Sequence, residues 1–91
     1  MFENLGHIEE RYKELTQAMA TPEVATDYVK LAEYGQERAE LEPIVLRYRE
    51  YEDVLQQMEG ARELLDEEDS EIVELARQEL DELEPRAEEL A

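Results

Sequence analysis

The sequence predicts an all-α fold, an antiparallel three-helix bundle of coiled-coil character built around one long central helix. Two observations predict it. The 91 residues are 42% hydrophobic and 40% charged, and helix formers dominate, as is typical of long helices and coiled coils. Apolar residues also recur every three or four positions along most of the chain, which places them on one face of a helix.

The first helix is predicted over about residues 2–19. Its apolar face is formed by Phe2, Leu5, Ile8, Tyr12, Leu15 and Met19. Thr21-Pro22 ends this helix, since proline disfavours helical geometry in the residue before it and suits the first turn of a new short helix. Thr26 or Asp27 can then cap the next helix by accepting a hydrogen bond from its free amides.

The central helix is predicted over about residues 27–65, with two apolar registers. The first contains Leu31, Tyr34, Leu41, Val45 and Tyr48, with Arg38 at the missing step. The second contains Ile44, Tyr48, Tyr51, Leu55, Met58 and Leu65, with Arg62 in its gap. Because the registers overlap only between residues 44 and 48, the apolar stripe shifts around the helix there. This shift predicts one helix with two partners in succession.

Two residues oppose a continuous central helix. Gly35 costs about 1 kcal/mol in a helix interior, and Pro43 costs ~3 kcal/mol because it removes a hydrogen bond and clashes with the carbonyl of Ala39. No turn-forming residues surround Pro43, and the apolar spacing passes through it, which favours a single helix kinked there. Two helices broken at Glu42-Pro43 are the alternative. Gly35 is expected where two helices approach closely.

The last helix is predicted over about residues 71–90, after a polar stretch, 66–70, whose last members are good N-caps. Its apolar face contains Val73, Ala76, Leu80, Leu83, Ala87 and Leu90. Ile72 and Leu75 are expected to widen this face, and Pro85 to kink the late turns or end the helix early.

Short connections favour antiparallel neighbours. The first helix is therefore expected on the first half of the central helix, and the last helix on its second half. We expect five residues in the core: Leu41, Val45, Tyr48, Leu55 and Leu83.

The charge of the chain excludes several classes of function. Twenty-seven acidic residues against 9 basic ones give a net charge of −18, which repels phosphate backbones and anionic lipids. We therefore expect no direct nucleic-acid binding and no membrane binding. The chain has no cysteine, which favours an intracellular, cytoplasmic location, and no apolar run approaches the ~20 residues that span a bilayer.

No combination of residues points to catalysis, a cofactor or a metal. His7 has neither a cysteine nor a second histidine beside it, and a partly solvated side chain is the better interpretation. Residues 66–69 suggest a calcium loop, but its sixth and twelfth positions would be Glu71 and Arg77 instead of glycine and glutamate. The five tyrosines are expected at the core or its boundary with their hydroxyls outward. We therefore predict no enzymatic activity, no cofactor and no catalytic or metal-binding residues.

Four segments carry a resemblance to a known family. They are Ile8-Glu9-Glu10-Arg11-Tyr12, Thr21-Pro22-Glu23-Val24, Ala39-Glu40-Leu41-Glu42-Pro43-Ile44-Val45 with Tyr48-Arg49-Glu50-Tyr51, and Ala61-Arg62-Glu63-Leu64-Leu65. In this order and spacing the chain resembles the N-terminal domain of bacterial class I peptide chain release factors, and most of all the branch that reads UAA and UAG. The family commonly has Asp-Pro-Glu-Val where this chain has Thr21-Pro22-Glu23-Val24.

The active elements of that family are missing here. The family hydrolyses peptidyl-tRNA with a Gly-Gly-Gln loop, whereas the three glycines of this chain, at 6, 35 and 60, are never adjacent. The UAA/UAG branch uses a Pro-x-Thr tripeptide, whereas Pro22, Pro43 and Pro85 are followed two residues later by valine, valine and alanine.

What remains resembles the helical domain that, in the family, sits by the stalk base of the large ribosomal subunit and can meet the class II release-factor GTPase. The resemblance therefore implies that residues 1–91 are one helical interaction domain, an N-terminal fragment of a longer protein that acts in translation termination. The alternative is a free-standing acidic coiled-coil adaptor or oligomerisation module.

Overall fold

The computed structural model describes residues 5–91, which form α1 (Leu5–Met19), α2 (Pro22–Ala25), α3 (Tyr28–Leu64) and α4 (Ser70–Leu90). These residues include no β-strand, so the all-α prediction is confirmed. The predicted start of the first helix at residues 2–4, with the apolar Phe2, lies outside the described residues.

The connection between α1 and α3 follows from Thr21 and Pro22. The Thr21 amide and hydroxyl both donate to the carbonyl of Ala18, at 3.0 and 2.7 Å, which satisfies a carbonyl at the end of α1. Pro22 then begins the four-residue α2. The predicted short helix after Thr21 is confirmed.

Aspartates cap the two long helices that follow. Oδ1 of Asp27 accepts from the amide of Lys30 at 3.2 Å, at the start of α3. Oδ1 of Asp69 accepts from the amide of Glu71 at 2.9 Å, at the start of α4. Of the two predicted caps for the central helix, Asp27 is therefore the one used, while the Thr26 hydroxyl donates back to the carbonyl of Pro22.

Both internal prolines lie within helices. α3 continues through Pro43, so the prediction of one central helix is confirmed and the alternative of two helices is wrong. α4 continues past Pro85 to Leu90, so the early end suggested for it is wrong. In α4 the cost of the proline is offset because Ala87 and Leu90, beyond it, pack in the core. The kink expected at each proline stays a prediction.

The chain divides into two compact units, Met1–Arg47 and Tyr48–Ala91. In the first unit α1 packs antiparallel against α3, since Tyr12 bonds to Glu42 whereas Thr16, later in α1, bonds to Arg38, earlier in α3. Its buried apolar residues are Leu5, Tyr12, Leu15, Val24 and Val45. The single domain expected over residues 1–91 stays a prediction.

The second unit is an antiparallel pair formed by the later part of α3 and α4. Its core contains Val54, Met58, Ala61, Ala76, Leu80 and Leu90, with Tyr51, Leu65, Leu83 and Ala87 packed against it. These positions alternate in steps of three and four along each helix, the spacing of a coiled-coil seam. The face predicted for the last helix is confirmed from Ala76 to Leu90, and Val73 is half-buried. Ile72 and Leu75 do not join this face and are exposed.

The second register predicted for α3 is wrong in part. Val54 and Ala61 are buried, while Ile44 and Leu55, which the register placed in the core, are exposed. Arg62, expected in the gap of the stripe, is also exposed, and Ala61 takes its place. Regular three-and-four steps from Tyr51 lead to Val54 and then Met58, and Leu55 falls one position outside that seam.

The five expected core residues have three different outcomes. Val45 is confirmed, with only 1% of its surface exposed. Leu41, Tyr48 and Leu83 are half-buried. Leu55 is 40% exposed, so its prediction as a core residue is wrong.

Leu80 and Leu55 offer a matched test of the core assigned to the second unit. Both are helical leucines, but Leu80 is buried whereas Leu55 is exposed. Leu80→Ala should lower the free energy of unfolding by about 2–5 kcal/mol, because it removes buried atoms and leaves a cavity. Leu55→Ala should change it by about 0.5 kcal/mol or less, as is usual at the surface. Urea unfolding followed by circular dichroism measures both, and equal losses would show that the seam is assigned to the wrong residues.

The close helix approach expected at Gly35 stays a prediction. A Cβ at Gly35 would meet only the end of the Met19 side chain, with Cε at 3.5 Å, an ordinary van der Waals contact. A Cβ at Gly60 would have no heavy atom within 4 Å. Neither glycine is therefore required by packing.

Replacing these glycines should stabilise α3. Gly60→Ala and Gly35→Ala should each raise the free energy of unfolding by up to about 1 kcal/mol, because alanine loses less backbone entropy in a helix. Thermal unfolding measures the gain, with exposed Ala32→Gly as the reverse control. A lower melting temperature for Gly60→Ala would contradict the open surroundings of that residue.

Candidate functional site

The most elaborate polar cluster of the first unit is centred on Arg38. Its guanidinium carbon lies 4.5 Å from the centroid of the Tyr12 ring, within the range of a cation–π contact. Its Nε donates to Thr16 Oγ1 at 2.8 Å, and its Nη1 donates to Glu42 Oε2 at 3.3 Å. The Tyr12 hydroxyl donates to the same Glu42 oxygen at 3.1 Å. The cluster therefore joins α1 to α3.

Sequence reasoning placed Arg38 correctly on the apolar face but missed its role. The signal that could have found it was the buried aromatic residue on the partner face, because a guanidinium can lie on a ring while its nitrogens bind oxygen acceptors. Glu42, four residues after Arg38, supplies the carboxylate.

Arg11 and Glu37 form a second link between α1 and α3. Arg11 Nε and Nη2 donate to the two carboxylate oxygens of Glu37 at 2.6 and 2.9 Å, in a bidentate arrangement. This hydrogen bonding lowers the pKa of Glu37 and raises the pKa of Arg11. Glu14, at 3.6 Å from Arg11, adds a weaker attraction within α1.

The second unit has a comparable link. Nε and Nη2 of Arg86, in α4, donate to Oε1 of Glu50, in α3. Nη1 of Arg86 lies 3.1 Å from Glu89 on its own helix. Hydrogen bonds to Glu50 and Glu89 raise the pKa of Arg86. The pair shows that the side of α4 carrying Arg86 faces the side of α3 carrying Glu50.

The Arg11–Glu37 link should depend on pH in one direction. Because the pKa of Glu37 is lowered in the folded chain, its contribution is fully present above the unfolded-state pKa and is lost as the pH falls through the folded-state value. A double-mutant cycle with Arg11→Gln and Glu37→Gln, measured at neutral and strongly acidic pH, should show favourable coupling only at neutral pH. Coupling that persists after Glu37 is protonated would contradict the ionic origin of the link.

The other candidates from the sequence have clear positions. His7 is exposed, as expected. Tyr12 is buried with its hydroxyl bonded to Glu42, and Tyr34, Tyr48 and Tyr51 are half-buried. The prediction for the tyrosines is wrong for Tyr28, which begins α3 and is 83% exposed.

The geometry offers no metal centre in the part of the chain that the structure describes. Among residues 5–91, no group of three or more histidine, aspartate and glutamate side chains is close enough to hold an ion. Over the same residues, no helix combines the length and apolar character needed to cross a bilayer. Buried polar or charged residues are also absent within 5–91, so the polar clusters lie at the edges of helix contacts.

Large apolar side chains at the surface are the remaining candidates for function. They are Tyr28, Val29, Ile44, Leu46, Leu55, Leu64, Ile72 and Leu75. Periodicity alone did not reveal them, because the sequence assigned five of the eight to helix contacts. Exposed apolar groups among charged ones suit binding to another protein.

These features define a helical domain of coiled-coil character whose polar side chains link neighbouring helices. The chain belongs to the PCRF domain family, whose model matches residues 8–91. The resemblance to peptide chain release factors is thereby confirmed.

Curated relatives agree with the family. The chain is 44% identical to "Peptide chain release factor 1" of Geobacillus sp. (strain WCH70) over 99% of this chain and 25% of that protein. It is 42% identical to the protein of the same name from Halalkalibacterium halodurans, over 99% of this chain and 26% of that protein. It is 41% identical to the protein of the same name from Clostridioides difficile, over 94% of this chain and 25% of that protein. The chain thus spans about a quarter of the length of these relatives. No solved structure matches it.

Proposed function

We propose that this chain is a helical interaction domain of a peptide chain release factor, that it acts in translation termination and that it has no enzymatic activity of its own. One observation carries the proposal. A relative named peptide chain release factor 1 aligns with 99% of this chain, yet the alignment covers only 25% of that relative. A part of this size contributes to such a factor through its contacts.

The composition supports a role without catalysis. In the family that the chain resembles, adjacent glycines bring the backbone close to the ester of peptidyl-tRNA, and this sequence has no adjacent glycines. It also has no Pro-x-Thr tripeptide for reading a stop codon. Peptide release and codon recognition therefore belong to other parts of the factor.

The partners that we propose are the ribosome, at the stalk base of its large subunit, and the class II release-factor GTPase, in the cytoplasm. A net charge of −18 disfavours contact with ribosomal RNA and favours contact with basic protein surfaces. Exposed apolar residues such as Leu46 and Leu75 suit protein contacts as well.

The alternative function, an acidic oligomerisation module, has less support. A coiled-coil module needs a free apolar seam, and in the second unit the seams of α3 and α4 are packed against each other. The apolar residues left outside are single side chains or short groups. They do not repeat over the three or four heptads that a coiled coil requires.

A peptide-release assay tests the proposal. On ribosomes stalled at a stop codon with peptidyl-tRNA, the chain alone should release no peptide. Added in excess to an intact release factor, it should slow release weakly by competing for the docking surface. The effect should be weak because the fragment loses the effective concentration that the rest of the factor provides.

A matched control separates docking from charge. Leu80→Ser keeps the net charge but opens the core of the second unit, so it should compete less than the parent chain. Codon-dependent release by the chain alone would overturn the proposal, and so would equal competition by both chains, since that would reflect acidic charge alone.

A further inference from the structure

An apolar group lies beside the connection between α3 and α4. Leu75 is 65% exposed, and Leu64 and Ile72 are 40% and 37% exposed. Ile72 and Leu75 are three residues apart and share a face of α4. None of the three belongs to the core of the second unit.

The coiled-coil repeat places Leu64 next to this face. Leu64 follows Glu50 by two heptads in α3, and Ile72 precedes Arg86 by two heptads in α4. The bond between Arg86 and Glu50 shows that these two flanks face each other. The three-and-four steps run to Leu65 in α3 and, through half-buried Val73, to the start of α4, so the repeat places Leu64 and Ile72 on these same flanks. We call Leu64, Ile72 and Leu75 the hairpin patch.

The charges around the hairpin patch have one sign. Glu71 and Glu79 lie in α4, four residues before and four residues after Leu75, and both are exposed. The nearest basic residues, Arg62 and Arg77, each follow a buried seam alanine directly, and the repeat places them on the opposite flank. The patch is therefore apolar with an acidic border.

We propose that the hairpin patch is a docking surface for a helix of a partner protein that carries apolar residues beside lysine or arginine. Apolar side chains of the partner cover Leu64, Ile72 and Leu75, and its cations meet the acidic border. Charge complementarity favours this occupant over a second copy of the chain, since two copies would bring acidic borders together. The inference rests on the proposed function, in that the domain acts by binding a protein.

A designed peptide tests the patch directly. The probe is an amphipathic helix of about 18 residues, long enough to be helical, with leucines on one face and lysines on the other. Its binding to the chain is measured by titration calorimetry. Ile72→Ser together with Leu75→Ser should weaken binding by about tenfold, because truncation removes apolar contacts at the centre of the interface.

Leu46→Ser is the matched control, since Leu46 is 52% exposed in the first unit and the substitution also keeps the net charge. It should leave binding unchanged. Equal binding by the parent and the patch variant would overturn the proposal, because attraction would then come from general acidic charge. Concentration-dependent dimers of the parent chain that the patch variant abolishes would overturn it too, in favour of a second copy.

The peptide-binding experiment and the release assay can fail independently, so they distinguish the patch from the proposed function. If the patch variant loses peptide binding but the parent chain does not compete with intact factor, the patch is supported and the proposed function is contradicted. Competition that survives in the patch variant would support the proposed function and overturn the patch as its docking surface. Circular dichroism checks that the patch variant and Leu46→Ser remain folded, as expected for exposed positions.

Discussion

The structure depends on where a few positive charges stand among many negative ones. The chain has 9 basic and 27 acidic residues, so two of its helices repel wherever their acidic faces meet. Arg11 and Arg38 lie where α1 meets α3, and Arg86 lies where α4 meets α3. Each binds a carboxylate on α3. Arginine suits this task because its planar group binds a carboxylate through two nitrogens and also lies on an aromatic ring.

Apolar burial supplies most of the stability, and the arginines favour one alignment of the helices among those that bury the apolar residues. Exposed ion pairs contribute little on their own, whereas a buried leucine such as Leu15 or Leu80 removes its side chain from water. A slip of α4 along α3 by one heptad would still bury apolar residues, but it would separate Arg86 from Glu50. A slip of α1 along α3 would likewise separate Tyr12 from Arg38. The polar links therefore favour one register.

Much of the fold could be predicted because its signals are local. Thr21-Pro22 and the two capping aspartates mark helix ends through bonds within a few residues, and α4 has only one apolar face to bury. The later half of α3 was less predictable, because Val54 and Leu55 are adjacent and equally apolar. Only contact with α4 decides between them. The exposed Leu75 and the Arg38–Tyr12 contact likewise depend on a partner helix, which periodicity within one segment does not describe.

An acidic surface has a consequence for specificity if the domain works on a ribosome, as we propose. RNA surrounds most sites there, and a chain of net charge −18 is repelled by nearly all of it. Binding then succeeds only where a protein presents apolar and basic groups together, so repulsion elsewhere narrows the choice of site. The hairpin patch is complementary to such a surface, since its apolar centre supplies attraction that acidic residues alone would lack and its acidic border attracts basic groups. If the domain has no catalytic groups, as we propose, it contributes position rather than chemistry in this way.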